Sequence, residues 1–279
     1  MHQHEELTKK IISMSGAEIH ADVVDLFVTI SDREEFWFDL VSPHLYSILL
    51  HFGPLRKVEI KLDDIFSIAD FLLRIIDFKS RFTATHSSGV AECAAILATI
   101  IGWSATEANL MRLAGYLHDV GKLAVPNAIL EKPGKLTQKE FAVIKQHAYF
   151  TFTTLKTVEG LGQLPEWAAF HHEKPDGSGY PFRINAEKLS MGSRIMAIAD
   201  IFTALAEDRP YRNGMSRNDI KKTMSGMFNN QTMDKRIINL LFENYEEISA
   251  PAKEKQAIVY QDYENLGVES AMTGTAAGD

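Results

Sequence analysis

The residues of this chain that could do chemistry are histidines and aspartates grouped near helix ends: His86, His118-Asp119, His147, His171-His172 and Asp200. Each interval between them is about one helix plus a turn, so an antiparallel bundle can return all of them to one end. Imidazole and carboxylate donors together suit first-row divalent ions such as Fe, Mn, Ni or Zn, and a carboxylate such as Asp119 can bridge two of them. A pair of such cations is a hydrolytic centre that binds a phosphoryl oxygen, lowers the pKa of a bridging water and stabilises a departing alkoxide. A lone histidine near a helix end is ordinarily a surface or capping residue, and His2, His4, His20, His44 and His51 are read that way. His118-Asp119 differs because it follows the apolar Leu113, Ala114 and Leu117, where burying an ionisable pair is costly without a metal or partner. His171-His172-Glu173 beside a glycine-rich loop is rarer still.

These strings also carry a resemblance. His118-Asp119-Val120-Gly121-Lys122 resembles the HD motif of the HD phosphohydrolase superfamily. The run from His171-His172-Glu173 to Gly179-Tyr180-Pro181 matches the HHExxDGxGYP motif of its HD-GYP branch at every fixed position. His86-Ser87, Val125-Pro126 through Thr137, Arg194-Ile195 through Asp200, and Asp208-Arg209-Pro210-Tyr211-Arg212 extend the likeness over about Leu62 to Ile248. The resemblance implies an HD-type helical bundle that opens cyclic di-GMP to linear pGpG and, in many members, on to GMP. Some members prefer 3',3'-cyclic GMP-AMP.

Carried over residue by residue, the resemblance implies metal ligands at His86, His118, Asp119, His147, His171, His172 and Asp200, holding two divalent ions, with Fe, Mn or Ni expected. Lys122 then contacts the scissile phosphate, and Arg209 and Arg212 hold the substrate phosphates. The chemistry agrees, since an anionic phosphodiester needs such cations, although Arg209 and Arg212 also read as an ordinary solvated face. Gly177 and Gly179 permit a sharp turn close under a ligand or a plain structural turn. Tyr180 reads either as a stacking face for guanine or as a buried prop for the loop. Two departures from the family pattern stand out. Arg183-Ile184-Asn185-Ala186 occupies the place of a Gly-Leu-x-Gly stretch, and Phe82 stands four residues before His86, where trinuclear members carry Glu. A dinuclear centre is therefore expected.

The elements that must position these groups read as helices throughout, because apolar residues recur at helical spacing with no alternating β-branched run. An all-α chain is expected, with a small N-terminal helical domain over residues 1–61, a catalytic HD-GYP domain over 62–266 and a flexible tail over 267–279. Breaks fall near Gly16, Ser31-Asp32, Pro43 and Gly53-Pro54. Ile65, Ile68, Ala69, Leu72, Leu73 and Ile76 form one helical stripe. Further helices are expected over Ser87 to Ile101, over Thr106 to Leu117 with an N-cap at Thr106, from a capping box at Thr137 and Glu140 through His147, and from Ser193 carrying Asp200.

With 279 residues, 46% hydrophobic and 24% charged, the chain can build a sizeable core. A formal net charge of -8 argues against DNA, RNA or an anionic membrane surface as partner, so a small anionic substrate needs a local cationic site. One cysteine, Cys93, excludes both a disulfide and a thiolate metal cage. The polar start MHQHEELTKK has no apolar signal core, and no run approaches the roughly 18 apolar residues of a membrane span, so a cytoplasmic protein is expected. Phe27, Phe36, Trp37, Phe38 and Leu40 are expected in the core of the N-terminal domain or in a homodimer interface formed by it. Two other functions compete with cyclic dinucleotide hydrolysis. A non-hydrolytic cyclic dinucleotide-binding protein is opposed by the complete ligand set and Lys122, and a hydrolase of nucleoside mono- or triphosphates by the intact GYP loop.

Overall fold

The computed structural model describes residues 2–40, 60–79, 85–207, 213–229 and 232–265. Among them every regular element is helical and no β-strand occurs, as the apolar spacing requires. The chain divides between Lys61 and Leu62 into two compact units. Phe82, Arg209, Arg212, the breaks at Pro43 and Gly53-Pro54 and the expected tail lie outside the described residues.

The smaller unit contains α1 (His2–Ser13), α2 (Ala21–Ser31) and α3 (Glu34–Leu40). Gly16 ends the first helical stretch with φ +75°, a left-handed conformation that costs glycine little. Phe27, Phe36 and Trp37 meet edge to face at centroid distances of 5.2 to 6.2 Å. The indole N–H of Trp37 donates to the Ser31 carbonyl at 2.7 Å, fixing the turn between α2 and α3. Phe38 and Leu40 do not join this cluster and are exposed, because consecutive positions on a helix project in different directions.

The larger unit contains α4 (Leu62–Lys79), α5 (His86–Ile101), α6 (Ala105–Leu117), a 3-10 turn (Val120–Ala124), α7 (Asn127–Leu130) and α8 (Gln138–Lys156). It continues with α9 (Leu164–Ala169), α10 (Met191–Ala206), α11 (Arg217–Asn229), α12 (Lys235–Glu243) and α13 (Tyr245–Asn265). Helix α5 is the axis, with α6, α10 and α13 packed around it. Its small residues allow that: Gly89, Ala91, Ala94 and Ala98 are buried, and a Cβ on Gly115 of α6 would sit 2.4 Å from the Ala91 Cα. Leu97, Met111, Leu113, Ile195, Ile198, Phe202 and Met224 fill the core between these helices. On α4, Ala69, Leu73 and Ile76 face inward as the stripe predicts, whereas Ile68 at its margin is exposed.

Capping sets where the site-bearing helices begin. Helix α6 starts at a capping box of Ser104 and Glu107, not at Thr106: Ser104 Oγ accepts from Glu107 N at 3.2 Å and Glu107 accepts from Ser104 N at 2.8 Å. Thr106 therefore lies inside the first turn. Thr137 and Glu140 form the expected box on α8, which runs past His147 to Lys156. Ser190 caps α10 and starts it before Ser193. No helix among the described residues is long and apolar enough to cross a membrane.

Candidate metal centre

His86 opens α5, His118 and Asp119 follow the end of α6, His147 lies midway along α8, His171 and His172 follow α9, and Asp200 lies on α10. The fold brings all seven together. His147, His171 and His172 can offer ligand atoms within 4.8 Å of one another, and so can His86, His118 and Asp119. Asp119 faces both groups: one carboxylate oxygen is 3.2 Å from His118 Nε2 and the other 3.5 Å from His147 Nε2. Asp200 Oδ1 lies 2.9 Å from His86 Nε2.

Three of the histidines are oriented by their own main chain. His118 Nδ1 donates to the Gly115 carbonyl at 2.7 Å, His147 Nδ1 to Ile144 at 2.6 Å and His171 Nδ1 to Ala168 at 2.7 Å. A carbonyl can only accept, so each Nδ1 carries a proton and Nε2 is the nitrogen that each ring turns to the cluster. The Nε2 atoms of His147 and His171 then oppose each other at 3.3 Å. Two lone pairs at that distance repel unless a cation lies between them, and the donor set thus fits divalent metal ions.

The electrostatics agree with that fit. Burial pushes the imidazolium form of His172 down to about 4, and burial together with neighbouring histidines holds His171 well below its ordinary range. Burial lowers His147 too, partly offset by Asp119. For Asp119 and Asp200 burial works the other way but is outweighed: the charges of His118 and Lys122 hold Asp119 down, and the bond to His86 holds Asp200 down. His147, His171 and His172 are therefore neutral imidazoles beside ionised carboxylates at neutral pH, as divalent ions require. His86 is the exception. Burial disfavours its charge, but Asp200 and Glu207 raise it to about 9.

The motif glycines serve close approach. A Cβ on Gly121 would fall 1.9 Å from the His147 carbonyl. Gly121 N instead donates to Thr151 Oγ1 at 3.0 Å, and that hydroxyl donates to the His118 carbonyl at 3.0 Å, which clamps the 3-10 turn onto α8. Lys122 thereby reaches Asp119 Oδ2 at 2.6 Å with its side chain 20% exposed at the mouth of the cluster.

Gly179 passes so close to His172 and Glu173 that a Cβ would meet backbone atoms at 2.5 to 2.6 Å, while Gly177 takes φ +76°. Tyr180 lies with its ring 4.7 Å from that of His172. Beyond it opens a cleft of about 990 Å³ between α8 and this loop, lined by Phe141, Tyr149, Tyr180, Lys145, Lys174 and Arg183 among others, with no acidic residue among the described residues of its wall.

Sequence reasoning missed three groups. Glu173 is buried and accepts from Phe182 N at 2.6 Å and Ile184 N at 2.9 Å, so it folds the loop over the cluster. Its place in the His-His-Glu run was a signal. Glu207 is buried behind His86, and nothing in its sequence surroundings marks it. Lys145, Lys174 and Arg183 form the cationic wall, which only the fold assembles. Arg209 and Arg212 lie outside the described residues.

Comparison with known proteins places this geometry. A family model described as "HD domain" matches residues 70–237. Over 233 residues the chain is 35% identical to "3'3'-cGAMP-specific phosphodiesterase 1" of Vibrio cholerae, covering 83% of this chain and 54% of that protein. It is 35% identical over 153 residues to a "Cyclic di-GMP phosphodiesterase" of Thermotoga maritima, covering 54% of this chain and 42% of that protein. Among solved structures it resembles the V. cholerae cyclic GMP-AMP specific phosphodiesterase V-cGAP3, with TM-score 0.59 and 28% identity over 85% of this chain and 54% of that one. The chain spans about half the length of these relatives.

Proposed function

Because the chain belongs to the HD domain family and carries the HD-GYP loop in His171 to Pro181, we propose that it is a metal-dependent phosphodiesterase that opens cyclic di-GMP to linear pGpG. The observation that carries this reading is Asp119, whose two oxygens face two separate groups of nitrogen donors while its neighbour Lys122 stands at their mouth.

His86, His118, Asp119, His147, His171, His172 and Asp200 would hold two divalent ions. When bound, such ions supply Lewis acidity to the phosphoryl group and lower the pKa of water. The chain's own residues do the rest. The main-chain carbonyls of Gly115, Ile144 and Ala168 keep three imidazoles in the ligating tautomer. Lys122 places an ammonium where a non-bridging phosphate oxygen of the scissile linkage would sit, and Arg209 and Arg212 take the second phosphate. Tyr180 offers a ring face beside His172, and Lys145 lies over that ring at 5.8 Å. Half of the substrate can rest in the cationic, aromatic cleft while the other half meets the cluster.

A second reading, 3',3'-cyclic GMP-AMP as the substrate, is favoured by the relative named for it, which aligns over 83% of this chain against 54% for the cyclic di-GMP relative. The test is to load metal-free protein with Mn²⁺ or, anaerobically, Fe²⁺ and to follow each cyclic dinucleotide by chromatography. A product with one phosphodiester opened, and a kcat/KM higher for cyclic di-GMP, is expected. A higher value for cyclic GMP-AMP selects the second reading, and metal-loaded protein that opens neither overturns both.

A further inference from the structure

His118, His147 and His171 each find a carbonyl acceptor three residues back along their own chain. His86 is not oriented in this way, because it is the first residue of α5 and its ring points out of the helix start toward α10. Its two nitrogens face carboxylates instead: Nε2 meets Asp200 at 2.9 Å, and Nδ1 meets Glu207 Oε2 at 3.4 Å on the opposite side of the ring. Both His86 Nδ1 and Glu207 Oε2 are buried without a hydrogen bond to any other group, so each is the other's remaining partner.

Glu207 follows the last residue of α10 and is held from two further elements. Thr85, which precedes α5, donates its hydroxyl to Glu207 Oε1, and Gln256 Nε2 on α13 donates to the same oxygen at 3.1 Å. Gly89, one turn into α5, makes room for that amide: a Cβ there would lie 2.6 Å from Gln256 Nε2. Helix α13 begins at Tyr245, beyond residues 70–237 that match the family model.

We infer that Glu207 is the positioning carboxylate of His86, and that Gln256 holds it in place and so ties the C-terminal helix to the metal centre. The inference rests on the proposed reading of His86 as a ligand. A histidine that binds a metal through Nε2 is fixed in tautomer and orientation by whatever accepts from Nδ1, and a carboxylate acceptor also makes the ring a stronger donor. Unlike His118, His147 and His171, His86 has an anionic acceptor. Asp200, which faces His86 Nε2 at 2.9 Å, would then be a second donor to the same ion. The carboxylate of Glu207, unlike a main-chain carbonyl, depends on the seating of α13, so displacement of that helix weakens one ligand of the cluster and leaves the others.

The experiment is equilibrium dialysis of the metal-free chain against Mn²⁺, with thermal unfolding of the metal-free form as a control on folding. Glu207→Gln should weaken Mn²⁺ binding by about 10- to 100-fold, Gln256→Leu by a smaller factor, and Glu207→Asp should recover part of the loss. In a His86→Ala background, Glu207→Gln should cause no further loss, because its effect passes through that ring. Binding by Glu207→Gln within about twofold of the unmodified protein overturns the inference, as does a full loss that persists in the His86→Ala background. If Glu207→Gln does not fold, Gln256→Leu decides: unchanged affinity overturns the inference and weakened affinity supports it. Unmodified protein that binds no Mn²⁺, Fe²⁺ or Ni²⁺ overturns the metal centre itself, a result distinct from the others.

Discussion

Asp119 and Lys122 divide the work of the site, and the division can be measured. Asp119 faces both donor groups with separate oxygens, so Asp119→Ala should abolish turnover and leave little bound metal in elemental analysis of protein purified without chelator. Retention of normal metal content would show that the two groups are held without it. Lys122 touches the cluster through Asp119 and is half-buried at its mouth, so Lys122→Ala should keep the metals and lower kcat/KM. Loss of one charge-assisted contact corresponds to about 1.5 to 3 kcal/mol, or roughly 10- to 150-fold. Arg183 makes a third case. It takes φ +55° at the position where the family pattern has glycine, and it lines the cationic cleft. A side chain kept in the left-handed region costs about 1 kcal/mol relative to glycine. Arg183→Gly should therefore raise stability to denaturant while raising KM for the cyclic dinucleotide, and an unchanged KM would remove this cleft from the substrate path. The seven metal-binding candidates were legible because histidine and aspartate advertise their chemistry by type. Glu207 was not, because its role comes from packing between α5, α10 and α13.

The elements that carry these residues were legible where a local signal is sufficient to start or stop a helix. Thr137 and Glu140 announce α8 because both halves of the box lie within four residues of sequence. The start of α6 was misplaced by two residues since Ser104 and Thr106 both offer a hydroxyl, and only Ser104 stands three residues before a glutamate that can return the bond. Helix α8 ran longer than expected because Thr151 and Leu155 bury against neighbours that the local pattern does not show. The cap itself makes a prediction. Thr137→Ala should destabilise the larger unit by about 0.5 to 2 kcal/mol in urea unfolding at neutral pH. Its partner Glu140 adds a pH signature: the bond to Lys132, with those from Thr137, holds its carboxyl down to about 2 from an ordinary 4.5. A depressed carboxyl stabilises the fold above its ordinary range, and that contribution is lost as pH falls through the depressed value. The stability gap between the unmodified protein and Glu140→Gln should accordingly narrow as pH is lowered from 4.5 toward 2. A gap that stays constant over that range would mean that the charge of Glu140 does not act through the cap.

At the scale of the whole molecule, the candidate ligands come from five separate stretches of the larger unit and from none of the smaller one: α5, the turn after α6, α8, the segment after α9, and α10. The all-α class and a break close to Leu62 could be read from helical spacing, whereas this convergence could not, because it depends on how α6, α10 and α13 pack around α5. A ligand that binds only the folded state stabilises it by RT ln(1 + [L]/Kd), about 2.7 kcal/mol at a free concentration one hundred times Kd. For a unit of this size each kcal/mol raises Tm by roughly 2 to 4 °C, so Mn²⁺ at that concentration should raise the transition of the larger unit by about 5 to 10 °C. The stabilisation should have an address as well as a size. Metal links helices that are distant in sequence, and amide hydrogen exchange should therefore slow in α5, α6, α8 and α10 together, since opening any one of them breaks the shared centre. The amides of α1 to α3 carry no ligand and should exchange at the same rate with and without metal. Protection confined to the segment around His171 and His172 would mean that only one donor group is occupied, and it would contradict a centre bridged by Asp119.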